Sequence, residues 1–276
     1  MKVASLYLRG FMYPDIAVLI AAFNADLTIE AAIESVLSSP RRCRIFVVDD
    51  GSRTPVGTIL TRYGDQISIS RLDKNIGPAA ARNVALRKII DKGFKYVAIM
   101  DADDMSYPGR LSLQADFLDT HTDVGAVGAW TRLFDEQTGQ TVRINKRATS
   151  PADVRNLMFF NIGLSHASAM MRVDALKAVG LYSNKYPAAE DYELLRRIGE
   201  RFLLANVPEV LLHYRISSGG QSLRRRKQQL YDRLRVQLKY FKFFEWRAWV
   251  GALKTLFLFL IPVGVVGWMR SFSLRN

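Results

Sequence analysis

The chain has 276 residues, 49% of them apolar and 24% charged, enough for one large domain with its own core or for a domain and an appendage. Its one cysteine, Cys43, excludes an intrachain disulfide framework, reads as a small buried apolar side chain and fits a reducing compartment. The net charge of +13 is uneven: residues 221–276 hold 12 Lys and Arg against 2 Asp and Glu, while the other 220 residues hold 27 against 24, which points to a basic appendage and away from a nucleic-acid-binding face on the main domain.

The N-terminal stretch MKVASLYLRGFMYPD lacks the apolar segment and cleavage site of a signal peptide. IAVLIAAFN (16–24) is a short apolar run closed by Asn24, as expected of a strand. LTIEAAIESVLSS then places Ile29, Ile33, Val36 and Leu37 on one helical face. CRIFVVDDGS is a second strand that ends in Asp49, Asp50 and Gly51, and QISISRLD is a candidate third. NIGPAAARNVALRKIIDKG reads as a loop and a helix, with Pro78 near its start and Gly93 past its end. FKYVAIMDADD is the next strand. Strands alternating with helices over the first ~115 residues predict βαβ units and a mostly parallel α/β sheet. Ligands of such sheets lie at the carboxyl ends of the strands, where both acidic clusters fall.

The middle of the chain is less regular. VGAVGAW and HASAMMR read as strands, VDALKAVGLY as a short helix and ANVPEVLLHYRIS as a final strand. AAEDYELLRRIGERF reads as a helix with an apolar stripe of Leu194, Leu195, Ile198 and Phe202, and with Glu190 and Asp191 at its start. Beyond residue 222, LRRRKQQLYDRLRVQLKYFKFFEWRAW mixes nine cations with aromatic and aliphatic residues at helical spacing. TLFLFLIPVGVVGWM (255–269) follows, without a charge but with Pro262 inside. The tail is expected to form basic amphipathic helices in a membrane interface; a single span and a partner-binding helix are the alternatives.

Asp101, Asp103 and Asp104 raise each other's pKa unless a cation sits among them. Alternate carboxylates on a turn can hold a hard cation such as Mg²⁺ or Mn²⁺. An EF-hand is excluded by Met105 and Ser106 at positions where it needs an oxygen ligand and glycine. A receiver-type phosphorylation site is disfavoured by the whole βα unit preceding Asp49. On its own, each acidic pair reads more readily as helix-capping decoration.

In company, the segments VLIAAFNADLTIEAAIESVLSS, IFVVDDGS, RLDKNIGPAAARNVAL, YVAIMDADDMSYPGRLSLQADFL, SHASAMMRVDALKAVGLY and AAEDYELLRRIG resemble the family 2 glycosyltransferases in order and spacing, from about Asp15 to Ser222. That resemblance implies a GT-A fold, a Rossmann-like mixed and mostly parallel sheet flanked by helices. It implies a domain over 15–222, with a nucleotide-binding half (15–115) and an acceptor half (116–222), between an N-terminal extension (1–14) and the membrane-associating tail (223–276). It implies inverting transfer from a nucleotide-diphosphate sugar, with UDP the expected carrier. The acceptor would be a hydroxyl of a glycan or lipid-linked glycan, at the cytoplasmic face of the inner membrane, in exopolysaccharide, O-antigen or capsule synthesis.

The resemblance also implies roles, position by position. Ala21, Ala22, Phe23 and Asn24 would border the nucleotide base, although the family often has proline at 21 and tyrosine at 23. One of Asp49 and Asp50 would accept a hydrogen bond from uracil. Asn75, Gly77, Arg82 and Asn83 match a loop-to-helix signature, with Arg82 either neutralising diphosphate or pairing with the DxD segment. Asp101 would lie near ribose and metal, and Asp103 would ligate Mn²⁺ or Mg²⁺. Asp191 would be the catalytic base, with Glu190 and His166 in support. A histidine that the family often carries shortly after Tyr-Arg is replaced by Ser217 and Ser218, with Arg215 as a substitute contact; His213 has a core or rim role. Nucleic acid is not expected as a partner, and an anionic membrane surface is. The alternatives are a transferase-like binding module without activity and another metal-dependent, nucleotide-using transferase.

Overall fold

In a computed structural model, which describes residues 14–216 and 225–261, the first hundred residues build four parallel strands. These are β1 (Ile16–Ala22), β2 (Cys43–Asp49), β3 (Ile67–Arg71) and β4 (Tyr96–Asp101). Helix α1 (Ile29–Leu37) joins β1 to β2, and α2 (Pro78–Asp91) joins β3 to β4. Strand β1 is an unbroken apolar run because helices cover both sheet faces, so nothing selects for alternation. Helix α1 buries Ile29, Ala32, Ile33 and Val36, a stripe at helical spacing. Helix α2 starts on Pro78 after Gly77 at φ 89° and ends before Gly93 at φ 75°. Cys43 is half-buried, and burial pushes its thiol up to about 12, which leaves it unreactive.

The remainder comprises β5 (Met105–Ser106), α3 (Arg110–Thr120), β6 (Val124–Asp135), β7 (Thr141–Asn145), α4 (Pro151–Leu157), β8 (Met170–Arg172), α5 (Val173–Val179), α6 (Glu190–Gly199), β9 (Leu203–Ile216), α7 (Arg226–Lys239) and α8 (Trp246–Leu260). One mixed sheet runs β3-β2-β1-β4-β8-β6-β9-β5, with β7 beside β6. Strands β6 and β9 pair in parallel, and β8 and β5 run antiparallel to their neighbours. Helices α1 and α3 cover one face, and α2, α5 and α6 the other. Strands β2 and β4 lie on opposite sides of β1, with Ala22 level with Asp49 and Ala21 level with Asp101. The strand order therefore reverses at β1, and both acidic clusters lie at the carboxyl ends beside that switch point.

Two expected elements are shorter than their sequence pattern. Of HASAMMR only Met170–Arg172 is strand, because Ser168 Oγ donates to the carbonyls of Ser165 (2.9 Å) and Ala129 (3.2 Å) and folds 166–168 into a turn. The stripe of α6 stops at Ile198: the helix ends at Gly199, and Phe202 lies in the following turn, packed over Gly125.

Helix α7 lies against the domain, burying Leu230, Asp232, Val236 and Gln237. Helix α8 approaches through Ala248, Gly251, Ala252 and Thr255; a Cβ on Gly251 would fall 2.1 Å from the Phe159 carbonyl oxygen, so only glycine fits. Its other side exposes Trp246, Trp249, Val250, Leu253, Leu256, Phe257 and Leu260, continuing from Phe243 and the 99% exposed Phe244. Fifteen residues extend about 22 Å, short of the ~30 Å hydrocarbon core of a bilayer. No helix among the described residues is long and apolar enough to cross a membrane. The apolar run from Pro262 onward lies outside the described residues.

Gly51 turns the chain out of β2 at φ 70°, with a Cβ position 2.6 Å from the Lys74 backbone. Replacing it with alanine costs both the left-handed conformation and that close approach. Urea denaturation of Gly51→Ala is expected to show a loss of about 1–3 kcal/mol; unchanged stability would mean that the 50–53 and 73–76 loops are not packed as described.

Candidate active site

The acidic strand ends are not one pool of charge. Asp49 is fully buried: Oδ1 accepts the Ser52 N–H (2.9 Å), while Oδ2 accepts the Val56 N–H (3.1 Å) and Arg71. Burial works against its charge, but those hydrogen bonds prevail and hold its carboxyl below the usual range. The next carboxylate, Asp50, accepts from the Ile76 N–H (2.8 Å) and the Gly77 N–H (3.0 Å), which fixes the start of α2 at the crevice. Both acids of this pair are thus engaged with backbone: Asp49 builds its own turn, and Asp50 ties the β2 end to α2.

Asn24 sits at φ 52°, the left-handed conformation its side chain tolerates. Its N–H donates to Ser52 Oγ (2.9 Å) and its Oδ1 accepts the Arg53 N–H (2.9 Å). The Ala21–Asn24 segment is thereby locked to the loop after β2, with Ala22 buried and Phe23 exposed.

Arg82, on the second turn of α2, is the cation of the site. The residue is 7% exposed; Nη2 donates to Asp101 Oδ1 (3.0 Å) and Nη1 to Glu190 Oε1 (3.2 Å), and the Tyr182 ring lies 5.7 Å away. Burial disfavours its charge, yet Asp101, Glu190 and Asp191 outweigh that and raise its pKa. Arg82 Nε is buried without a partner among the described residues. The end of β4 and the start of α6 are thus joined through one side chain.

Beyond Asp101 the chain turns, and Asp103 and Asp104 diverge. Asp104 is buried; its Oδ1 accepts the Arg215 N–H (3.0 Å), its Oδ2 has no partner among the described residues, and burial, with Asp101 and Asp103 nearby, pushes its pKa well above the usual range. Arg110 lies beneath, fully buried, donating to Gln114 Oε1 (3.1 Å) and the Ile99 carbonyl (2.7 Å). Burial lowers its pKa to about 10, against the pull of Asp104 and Asp101. Asp103 is exposed, and its carboxylate makes no hydrogen bond or ion pair among the described residues; only its carbonyl is engaged, by Arg215 Nε (3.0 Å). Desolvation within the crevice, then Asp101, raises its pKa.

A hard cation fits that environment: an unengaged carboxylate, destabilised by a like charge, with oxygen donors only. No three His, Cys, Asp or Glu groups among the described residues converge as a cage. The protein would offer one or two carboxylates, and ligand oxygens and water the rest, as is usual for a cation carried with phosphates.

Glu190 and Asp191 open α6, where the helix dipole favours negative charge. Glu190 is buried against Arg82, and burial followed by Asp191 pushes it up to about 7. Asp191 is half-buried, forms no ion pair among the described residues and accepts only the Tyr192 N–H (2.6 Å); burial raises its pKa as well. His166 Nε2 shares a hydrogen bond with Tyr182 Oη (2.7 Å), and burial, with Arg82 nearby, keeps the imidazole neutral at pH 7. Asn83 grips the backbone of Tyr182 from both sides, donating to its carbonyl (2.9 Å) and accepting its N–H (3.0 Å). His213 stacks on Tyr107 at 4.4 Å, which gives it a packing role. Tyr182, Arg110 and Gln114 escaped sequence reading, since each resembles an ordinary helix-flanking or surface residue until its distant partner is placed.

With this geometry in hand, the comparisons decide the family. The Glycosyl transferase family 2 profile matches residues 17–180. The chain belongs to that family. The succinoglycan biosynthesis protein ExoU of Rhizobium meliloti is 36% identical over 201 residues, which span 66% of this chain and 56% of that protein. Residues 1–349 of S. aureus TarS, solved with UDP-GlcNAc, share the fold with a TM-score of 0.67 at 18% identity, over 89% of this chain and 71% of the other. The mannosyltransferase PcManGT of Pyrobaculum calidifontis, solved with GDP-Man and Mn²⁺, shares it with a TM-score of 0.64 at 15% identity, over 100% and 87%. The expected GT-A fold is therefore present in a chain of the glycosyltransferase family.

Removing Arg82 leaves Asp101 and Glu190 crowded and unpaired. Arg82→Gln is expected to destabilise the protein by on the order of 3 kcal/mol at pH 8. Glu190 would then titrate still higher in the folded state than in the unfolded chain, so the penalty belongs to its ionised form and fades as pH falls. Urea denaturation should find a smaller deficit at pH 5 than at pH 8; a pH-independent deficit would exclude charge pairing as Arg82's role.

Proposed function

We propose that this transferase moves a sugar from a UDP-sugar to a hydroxyl of a lipid-linked glycan, inverting the anomeric carbon, in exopolysaccharide, O-antigen or capsule assembly at the cytoplasmic face of the inner membrane. The observation that carries the reading is the double ion pair of Arg82, which brings the DxD turn and the Glu190–Asp191 helix start to one crevice. The succinoglycan role in ExoU's name and the UDP-GlcNAc of the TarS structure support the substrate class.

In this reading Ala21, Ala22, Phe23 and Asn24 border the base, the Asp49–Asp50 corner receives the uracil edge, and Gly77 lets the α2 backbone approach the diphosphate. Asp103, with Asp101, would hold Mn²⁺ or Mg²⁺, which when bound supplies positive charge for the leaving diphosphate. Arg82 adds a fixed cation nearby. Asp191 is the base: its carboxylate forms no ion pair among the described residues, whereas Glu190 is committed to Arg82. As the acceptor oxygen bonds to C1 from the face opposite the nucleotide, its proton passes to Asp191, and the C1–oxygen bond to the diphosphate breaks. Glu190 keeps Asp191 basic through its negative charge, and neutral His166 steadies Tyr182 behind Arg82.

The exposed face of α8 supports the membrane location. Phe243, Phe244, Trp249, Leu253 and Phe257 form an apolar surface next to Lys242, Arg247 and Lys254, and residues 225–261 contain nine Lys and Arg against two acids. A helix of this kind lies in the interface of an anionic leaflet. The protein should co-sediment with phosphatidylglycerol vesicles and far less with phosphatidylcholine vesicles, and Trp249→Glu with Leu253→Glu should abolish that binding. Equal sedimentation of both proteins would remove α8 from the account.

Transfer itself is tested with UDP-sugars and a membrane lipid extract as acceptor. Asp191→Asn should lower turnover by roughly 10²–10⁴-fold while UDP affinity stays unchanged. The wild-type rate should fall on the acid side with an apparent pKa around the value of about 7 that burial gives Glu190, because the base pair must be ionised. Glu190→Gln removes the like charge and should move that limb to lower pH. A fully active Asp191→Asn enzyme would overturn the base assignment.

A further inference from the structure

The loop that delivers Glu190 and Asp191 is held from two sides. Asn83 grips it at Tyr182 from within the domain. The outer grip comes from α7, beyond the residues that the family profile matches. Asp232 is fully buried on α7; its Oδ2 accepts the Ala188 N–H (3.1 Å), two residues before Glu190, and its Oδ1 takes Arg235 Nη1 (3.2 Å). The same Nη1 donates to the Lys185 carbonyl (2.8 Å), and the Arg235 guanidinium covers the Tyr186 ring at 4.8 Å. One turn into α6, buried Glu193 accepts Lys239 Nζ (2.8 Å) and Tyr240 Oη (3.0 Å) from the end of α7.

A buried carboxylate is costly unless fully engaged, and an apolar residue would fill the same helix face at no such cost. Asp232 instead spends its two oxygens on the loop backbone and on the arginine that clamps the same loop. The N–H it fixes belongs to Ala188, the residue before the N-cap Ala189, so the clamp acts on where the first helical turn begins. That turn carries Asp191, and displacement of a reacting group by about 1 Å can cost 10²-fold in rate.

We propose that Asp232, supported by Arg235, is a positioning residue for the Asp191 base, which makes α7 part of the catalytic apparatus and not only the stem of the membrane-facing hairpin. The proposal rests on the reading of Asp191 as the base. It assigns the clamp its main effect on the acceptor-activating step; the nucleotide pocket, built from β1, β2, β4 and α2, meets α6 through the Glu190–Arg82 pair and should change little.

The test measures kcat, donor KM and UDP affinity for full-length Asp232→Ala, Asp232→Asn and Arg235→Gln, with Asp191→Asn as control and melting temperature as a check on folding. Asp232→Ala should lower kcat by roughly 10²-fold, with donor KM and UDP affinity within about twofold of wild type. Asp232→Asn keeps an oxygen for the Ala188 N–H and should recover most of the rate. Arg235→Gln, at a half-exposed site, should fall between them and carries the test if Asp232→Ala does not fold. Full kcat in a folded Asp232→Ala or Arg235→Gln protein would overturn the proposal, as would loss of UDP affinity in step with kcat, the mark of a merely structural role. If Asp191→Asn is itself active, the base reading fails and the positioning proposal with it; if it is inactive while Asp232→Ala is fully active, only the positioning proposal fails.

Discussion

A desolvated guanidinium is unstable unless carboxylates surround it, and Arg82 meets that condition by drawing together two elements that are distant in the chain. Asp101 lies 19 residues away on β4, and Glu190 lies 108 residues away on α6. If either pair is broken, a charge is left in a medium that cannot solvate it. The rest of the crevice follows from this constraint. Helix α2 has to present its N-terminal half to the strand ends, the loop through Tyr182 has to cover the guanidinium, and α6 has to begin where Glu190 can reach it.

Around that pin, neighbouring carboxylates have been given different tasks by different surroundings. Asp49 is ionised and internally bonded, Asp50 is tied to the α2 start, and Asp104 is buried over Arg110 with an elevated pKa. Glu190 is paired, Asp191 forms no ion pair among the described residues, and Asp103 is exposed. Such a spread is what acid–base and cation chemistry need from one residue type, since equal surroundings would give equal acids. It also sorts the motif residues: Asp49 and Asp50, bonded to backbone N–H groups, shape the crevice, whereas the exposed Asp103 carboxylate has no partner among the described residues.

The sequence made the parallel half of the fold readable, because apolar runs and intervening stripes such as Ile29, Ile33 and Val36 are local signals. The strand-end carboxylates were readable for the same reason. What escaped was polar and non-local. Arg110 and Gln114 look like surface positions of a helix until β4 and β6 are placed beside them. Asp232 looks like one acid in a basic tail, and its role depends on Ala188, 44 residues earlier. The tail illustrates the difference within one segment. Aromatic and aliphatic residues at helical spacing pointed to exposed amphipathic helices, and α8 has that exposed face, but the docking of α7 onto α6 rests on buried polar contacts that periodicity does not register. Likewise, Phe202 fits the α6 stripe by spacing but falls beyond the helix end, because the chain turns after Gly199.

The central claim is that these strand ends form a nucleotide-diphosphate site completed by a divalent cation. It is tested most directly by thermal-shift titration of the wild type and Asp103→Ala with UDP, GDP, dTDP and CDP, each with Mn²⁺ and with chelator. The account predicts stabilisation of the wild type by UDP in the presence of Mn²⁺, lost with chelator and lost in Asp103→Ala. No stabilisation by any of the four nucleotides, or stabilisation that needs neither the cation nor Asp103, would contradict it.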